Sequence, residues 1–177
     1  MAIHQLIKRE SILEHDLEAL VPRLDGIAEL ISQNPFSERI KLLLANPGWA
    51  TKPVKNMMGE LSAPNCLGTA FFIAGVGKFN YPYHAYDNEL DEHMKQPGPK
   101  RWDDIFLPHY ERRIPGAFVF SCDFNADWHA GIYLGTIEDE HILFAQHGHG
   151  REFGPETLRN YSNPSYYIPR TLRTDQQ

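Results

Sequence analysis

Residues 127–135 read Asp-Trp-His-Ala-Gly-Ile-Tyr-Leu-Gly, and they say more about the fold than any other stretch of this 177-residue sequence. Their apolar and β-branched run predicts a strand with His129 at its head. The same half of the chain predicts further extended segments, most of them bounded by Pro, Gly or Asn. The predicted strands are 117–121 after Ile114-Pro115-Gly116, 130–134, 141–146 after the turn 136–140, and 166–168 after Asn163-Pro164.

Towards the N-terminus, residues 65–76 read Asn-Cys-Leu-Gly-Thr-Ala-Phe-Phe-Ile-Ala-Gly-Val and predict a buried helix. Asn65 suits the N-cap, because its side chain can accept a hydrogen bond from a backbone N–H of the first turn. Cys66 then lies in that first turn. A helix N-terminus and a nearby imidazolium both favour the thiolate, the form of cysteine that attacks a carbonyl. A cysteine before an apolar helix is also a common core residue, so position alone does not make Cys66 a nucleophile.

The rest of the chain predicts packing elements. An apolar stripe over 10–32 predicts a helix interrupted near Pro22, and residues 35–44 predict a second one that ends at Asn46-Pro47-Gly48. We expect a single domain, with a helical extension at 1–48 that shows no chemistry and a core at 49–177. An aromatic insertion at 77–114 interrupts this core. It contains a short predicted helix near 87–94 and aromatic residues that could wall a cleft: Tyr81, Tyr83, Tyr86 and Trp102.

Composition narrows the possible partners. The formal charge is −6, and the basic residues are scattered, so nucleic acid and acidic membrane surfaces are not expected partners. Two cysteines are too few for a disulfide framework, and both are expected as free thiols. The sequence predicts neither a membrane span nor a signal peptide. We therefore expect a cytoplasmic protein, unless a dedicated secretion system exports it.

These elements together resemble the NlpC/P60 family of papain-like cysteine peptidases and amidases. In that family a cysteine starts a helix, a Pro-Gly turn leads into an apolar strand, and a histidine opens a strand of the form His-x-Gly-Ile-Tyr-Leu-Gly. The resemblance covers residues 60–170 in the family's order. It implies an α+β, papain-like fold in which the helix bearing the nucleophile Cys66 packs on an antiparallel sheet bearing the general base His129. Gly68 and Thr69 stand where the family usually has small residues.

The third family position is a polar residue, often His, that hydrogen-bonds the far nitrogen of the base and fixes its tautomer. The next strand here reads His-Ile-Leu-Phe-Ala-Gln-His-Gly-His-Gly over 141–150. One alignment puts Phe144 at this position, where it cannot orient an imidazole. A longer strand brings in His147, which we expect, or Gln146 as the alternative.

The resemblance implies amide hydrolysis through a thioester, with backbone N–H groups at the helix start holding the oxyanion. Peptidoglycan peptides are the leading substrate class. The alternatives are an acyltransferase or deamidase acting on another amide, and an inactive module that binds a peptide. A third alternative is a metal module at residues 147–150, but the histidine spacing is poor for zinc, so no metal or cofactor is predicted. The oligomeric state is left open.

Overall fold

The computed structural model describes residues 3–76, 79–86, 106–108, 113–122 and 128–172. The helices are α1 (Ile3–Leu6), α2 (Leu17–Leu20), α3 (Leu24–Gln33), α4 (Ser37–Ala45) and α5 (Cys66–Ala74). The strands are β1 (Val54–Lys55), β2 (Leu61–Ser62), β3 (Phe106–Pro108), β4 (Phe118–Cys122), β5 (Trp128–Ile137), β6 (Glu140–Gln146), β7 (Phe153–Thr157) and β8 (Ser165–Pro169). The helix predicted near 87–94 and the side chain of Trp102 lie outside the described residues.

The main sheet has six strands in the order β3-β8-β4-β5-β6-β7, and every neighbouring pair is antiparallel. An α+β fold with an antiparallel sheet was predicted and is confirmed. Strands β4, β5, β6 and β8 lie where the sequence predicts strands. Strand β7 was missed, because Gly154 and Pro155 in its centre are typical of a loop. Among the described strands β7 is the last of the sheet and pairs only with β6, and an edge strand tolerates proline.

The N-terminal helices pack on the sheet. The helix predicted over 10–32 is broken into short helical segments, and one break is the 3-10 turn that contains Pro22, as expected. Ile27 and Ile31 of α3 are fully buried in the same hydrophobic core as Phe118 and Ile132 of the sheet. The helical extension is therefore part of the core that supports the sheet.

Helix α5 is buried along its whole length and packs against β5, β6 and α4. Phe71 stacks on Phe118 of β4, with ring centroids 5.6 Å apart. The helix ends at Gly75, whose positive φ of 74° is the left-handed C-cap conformation that glycine adopts without strain. Within the part of the chain that the structure describes, no helix combines the length and apolar character needed to cross a bilayer.

Candidate active site

The first turn of α5 is organised by its cap residue. Asn65 Oδ1 accepts hydrogen bonds from the backbone N–H groups of Gly68 (2.9 Å) and Ala85 (3.1 Å), and Asn65 Nδ2 donates to the carbonyl of Ala85 (2.6 Å). The cap predicted from the sequence is confirmed. The approach is so close that a Cβ on Gly68 would lie 1.9 Å from the carbonyl oxygen of Tyr83. A glycine two positions after the cysteine is thus required by close contact with the backbone of Tyr83 and Ala85.

Cys66 and His129 are brought together. Cys66 is the first residue of α5 and is 8% exposed to solvent. It is hydrogen-bonded to His129, which stands second in β5 with 21% of its side chain exposed. A cysteine beside an imidazole at a helix N-terminus is an arrangement that nucleophilic cysteines use.

The far nitrogen of His129 is held by Glu156 of β7. Nε2 lies 2.9 Å from Glu156 Oε1 and 3.0 Å from Oε2. The Glu156 side chain is 0% exposed, and its Oε1 also accepts a hydrogen bond of 2.6 Å from the Tyr161 hydroxyl. Glu156 therefore occupies the orienting position that we expected His147 or Gln146 to fill.

His147, expected at the orienting position, contacts the Glu156 carboxylate rather than the His129 imidazole. Its side chain is only 3% exposed, and Nδ1 lies 3.3 Å from Glu156 Oε2, while Nε2 lies 2.8 Å from the carbonyl oxygen of Ser11. His147 thus contacts the orienting carboxylate, and that carboxylate contacts His129. The long side chain of Glu156 reaches the imidazole from a strand that the sequence did not predict.

The side chain of Gln146 makes structural hydrogen bonds. It accepts a hydrogen bond from Thr69 Oγ1 of α5 (2.8 Å), and its Nε2 donates to the carbonyls of Ala50 (3.2 Å) and Arg151 (3.0 Å). Phe144 is fully buried and pairs with Ile132 in the β5–β6 ladder. Gln146 therefore ties α5 to the sheet, and Phe144 is a core residue.

The electrostatics of the site favour a charged imidazole. Burial opposes charge on His129, but hydrogen bonds and electrostatic attraction to Cys66 and Glu156 outweigh it and raise its pKa to about 10. Burial likewise opposes charge on Glu156, yet hydrogen bonds from His129 and His147 lower its pKa to about 2. Burial and the Glu156 carboxylate raise the pKa of Tyr161 well above its usual value. At neutral pH the site thus holds an imidazolium, a carboxylate and a neutral phenol.

Two glycines admit the groups that surround this carboxylate. A Cβ on Gly131 of β5 would lie 2.7 Å from the Tyr161 hydroxyl oxygen. A Cβ on Gly154 of β7 would lie 1.8 Å from the Ser11 carbonyl oxygen and 2.9 Å from His147 Nε2. Gly131, the glycine of the His-x-Gly pattern, is therefore needed at its position, because a larger residue would displace the Tyr161 phenol from Glu156.

The N-terminal region contacts the site through the backbone carbonyl of Ser11 and the buried side chain of Asp16. The sequence had predicted no chemistry for this region. Asp16 accepts hydrogen bonds from the backbone N–H of Thr157 (3.0 Å), from its hydroxyl (2.9 Å) and from Asn160 Nδ2 (2.9 Å). Together with the Ser11 carbonyl, it fixes β7 directly beside Glu156. We call residues 11–16 the N-terminal clamp.

The remaining histidines of residues 141–149 do not converge. His149 Nε2 lies 3.2 Å from the Ser62 hydroxyl, while His141 Nδ1 lies 2.8 Å from the Tyr133 hydroxyl. Across the described ranges, no group of three or more His, Cys, Asp or Glu side chains could hold a metal ion.

The expected aromatic wall is only partly present. Tyr83 is 2% exposed and packs edge-on against Phe79, so it is a core residue. Tyr81 and Tyr86 are half-buried, and the Tyr86 hydroxyl donates to the Glu60 carboxylate and accepts from Asn56 Nδ2. Of the predicted wall residues that the structure describes, Tyr81 and Tyr86 thus keep some exposure.

Comparison of the chain with protein-family models, with curated proteins and with solved structures finds no match. The chemistry of the site is therefore the guide to what the protein does. A thiol, an imidazole and a buried carboxylate bonded in series form the combination with which nucleophiles are activated for acyl transfer.

Proposed function

We propose that this protein is a papain-like cysteine hydrolase of the NlpC/P60 type that cleaves an amide bond with Cys66 as nucleophile and His129 as acid and base. One observation carries the proposal: Cys66 begins a buried helix and is hydrogen-bonded to His129, whose other nitrogen is held by the buried carboxylate of Glu156. Serine and cysteine hydrolases on unrelated folds share this order of groups.

In the proposed reaction the Cys66 thiolate attacks the amide carbonyl carbon, and the carbonyl π electrons move to oxygen. Backbone N–H groups at the start of α5 stabilise this oxyanion. Protonated His129 gives its proton to the amine nitrogen as the C–N bond breaks, which leaves a thioester. Water then attacks the thioester while His129 takes its proton, and the acid and the thiolate are released. Glu156 is a positioning residue that holds the ring of His129.

Peptidoglycan peptides are the substrate class that we propose, from the resemblance in residues 60–170. Two glycines that belong to the resemblance have structural roles, and these roles support the resemblance. Gly131 makes room for the Tyr161 hydroxyl, and Gly116 has a positive φ of 89° in the turn before β4. A carboxylate at the orienting position also favours an enzyme over an inactive binding module, for which an apolar residue such as Phe144 would be expected there.

The test is to incubate the purified protein with soluble peptidoglycan fragments and a panel of simple peptide amides in ¹⁸O-labelled water. Mass spectrometry then identifies the products. We expect a new amine together with a carboxylic acid that carries one ¹⁸O atom. Transfer of the acyl group to an added amine would indicate an acyltransferase, and release of ammonia would indicate a deamidase.

Matched cysteine variants control this experiment. Cys66→Ala removes the nucleophile and should abolish product formation, while Cys122→Ala, at the last residue of β4, should retain it. Turnover by folded Cys66→Ala at the wild-type rate, or no product from the folded wild type with any substrate, would contradict the proposal.

A further inference from the structure

His147 makes two hydrogen bonds that a neutral imidazole cannot make together. Its Nε2 lies 2.8 Å from the Ser11 carbonyl oxygen, which only accepts hydrogen bonds. Its Nδ1 lies 3.3 Å from Glu156 Oε2, which belongs to an ionised carboxylate and also only accepts. A neutral imidazole carries one N–H, whereas an imidazolium carries two.

We infer that His147 is a buried imidazolium that acts as a positioning residue by binding the Glu156 carboxylate alongside His129. Both bonds to His147 are then donated, one to Ser11 and one to Glu156. The Ser11 backbone, which offers only a carbonyl oxygen at this contact, thereby selects the charged form. The N-terminal clamp fixes the ring as well as the strand.

The charges around Glu156 support this assignment. An ionised carboxylate that is 0% exposed is costly unless cations and hydrogen-bond donors compensate it. His129 is hydrogen-bonded to Cys66 as well as to Glu156, so one imidazolium serves two partners. A second imidazolium at His147 makes the series thiolate, imidazolium, carboxylate, imidazolium neutral overall. The thiolate end of this series rests on the proposed function, while the pairing of His147 with Glu156 does not.

The other described ionisable groups near Glu156 and His147 are hydrogen-bonded or exposed. His15, whose Nε2 lies 4.0 Å from Asp16 Oδ1, has a side chain that is 63% exposed. Tyr161 faces Glu156 as a neutral hydrogen-bond donor. Asp16 of the N-terminal clamp is buried, but its carboxylate is bonded to Thr157 and Asn160. Glu10 and Glu152 lie next to this region along the chain and are exposed, so solvent screens their charges.

The direct test is ¹⁵N NMR of the histidine side chains in the wild-type protein at pH 7. We expect both nitrogens of His147 to be protonated and to show the similar shifts of an imidazolium. One unprotonated nitrogen on His147 would overturn the inference. The measurement needs no substrate, so it gives an answer even if the amidase proposal fails.

A variant tests the positioning role. His147→Gln removes the cation but keeps one donor, and His4→Gln removes an exposed histidine from α1 as the control. In His147→Gln we expect the carboxyl ¹³C titration of Glu156 to move up by about one pH unit, because an attractive charge is lost. We also expect kcat to fall about tenfold with little change in KM, as is usual when the partner of an orienting residue is lost. An unchanged Glu156 titration, or a loss confined to KM, would overturn the positioning role; should the variant not fold, the wild-type ¹⁵N spectrum decides the question.

Discussion

Glu156 and His129 are hydrogen-bonded although a whole strand separates them in the sheet. Glu156 stands on β7 opposite Leu143 of β6, and Leu143 stands opposite Tyr133 of β5. Two strands that flank a third are about 10 Å apart. His129 also stands four positions from Tyr133 along β5, so the bond depends on the reach of the Glu156 and His129 side chains across β6. The position of the imidazole therefore depends on both the length and the charge of residue 156.

Glu156→Gln tests the charge. Contacts with Cys66 and with the Glu156 carboxylate raise the pKa of His129 to about 10, and the variant keeps the reach of residue 156 but removes its charge, so this pKa should fall. Leaving-group protonation needs charged His129, so the alkaline limb of kcat/KM should move to lower pH, with kcat reduced by about 10² to 10⁴. The matched control is Glu140→Gln. It removes a carboxylate of β6 that is paired with Arg159, and it should keep the wild-type pH profile of kcat/KM. An alkaline limb at the same pH in both variants would argue against Glu156 as the orienting group.

Glu156→Asp tests the reach. One methylene fewer retracts the carboxylate by about 1.5 Å, which is enough to break hydrogen bonds of normal length. We expect turnover to fall at least as far as in Glu156→Gln, even though the charge is kept. Activity near the wild-type level, measured under the same conditions, would mean that side-chain length at residue 156 does not set the geometry.

Alkylation of the two cysteines tests the activation of Cys66. If Cys66 is the nucleophile, iodoacetamide at pH 6 should label it far faster than Cys122, because Cys66 begins a helix and is hydrogen-bonded to His129. His129→Ala should slow the labelling of Cys66 by about 100-fold, because the thiol then has the reactivity of a cysteine without an imidazole partner. Peptide mapping by mass spectrometry gives both rates in one sample. Equal rates for the two cysteines in the folded wild type would refute activation.

The pH dependence of stability follows from the same shifts. The pKa of His129 is raised from 6.5 to about 10, so its contribution to folding is complete below pH 6.5 and is lost as pH rises towards 10. The pKa of Glu156 is lowered from 4.5 to about 2, so its contribution is complete above pH 4.5 and is lost as pH falls towards 2. The contribution of this pair to the free energy of unfolding, measured with urea, should thus be largest between pH 4.5 and 6.5. In His129→Gln the alkaline loss should shrink, whereas His4→Gln should keep it; the same pH slope in both variants would contradict the assignment.

Gly131→Ala tests the room made for Tyr161. The added Cβ would lie 2.7 Å from the Tyr161 hydroxyl oxygen and 3.1 Å from the Phe144 carbonyl oxygen, so the phenol must move away from Glu156. We expect a loss of about 1–3 kcal/mol in the free energy of unfolding, together with reduced turnover. Gly48→Ala is the control, because nothing lies within 4 Å of the Cβ that it adds. Equal unfolding free energies for the two alanine variants would show that the site tolerates the displacement.

The sequence predicted the parts of the site that depend on local pattern. Asn65 and Cys66 are signalled by capping chemistry at the start of an apolar run, and His129 by the strand that it heads. Glu156 was missed because the sequence around it, Phe-Gly-Pro-Glu-Thr, does not alternate as a strand does. The contact between Ser11 and His147 could not be predicted, since 136 positions of the chain separate the two residues. Contacts of that range arise from tertiary packing and leave no periodic signal in either segment.

The N-terminal clamp also has a consequence for biosynthesis. Asp16 and Thr157 are separated by 141 positions, and Glu156 follows Cys66 by 90 residues along the chain. A nascent polypeptide that has exposed Cys66 and His129 therefore still lacks the carboxylate that orients the imidazole, and the clamp has no strand to hold. Contacts so distant in sequence also form slowly. The thiol thus gains its full surroundings only after β7 has left the ribosome.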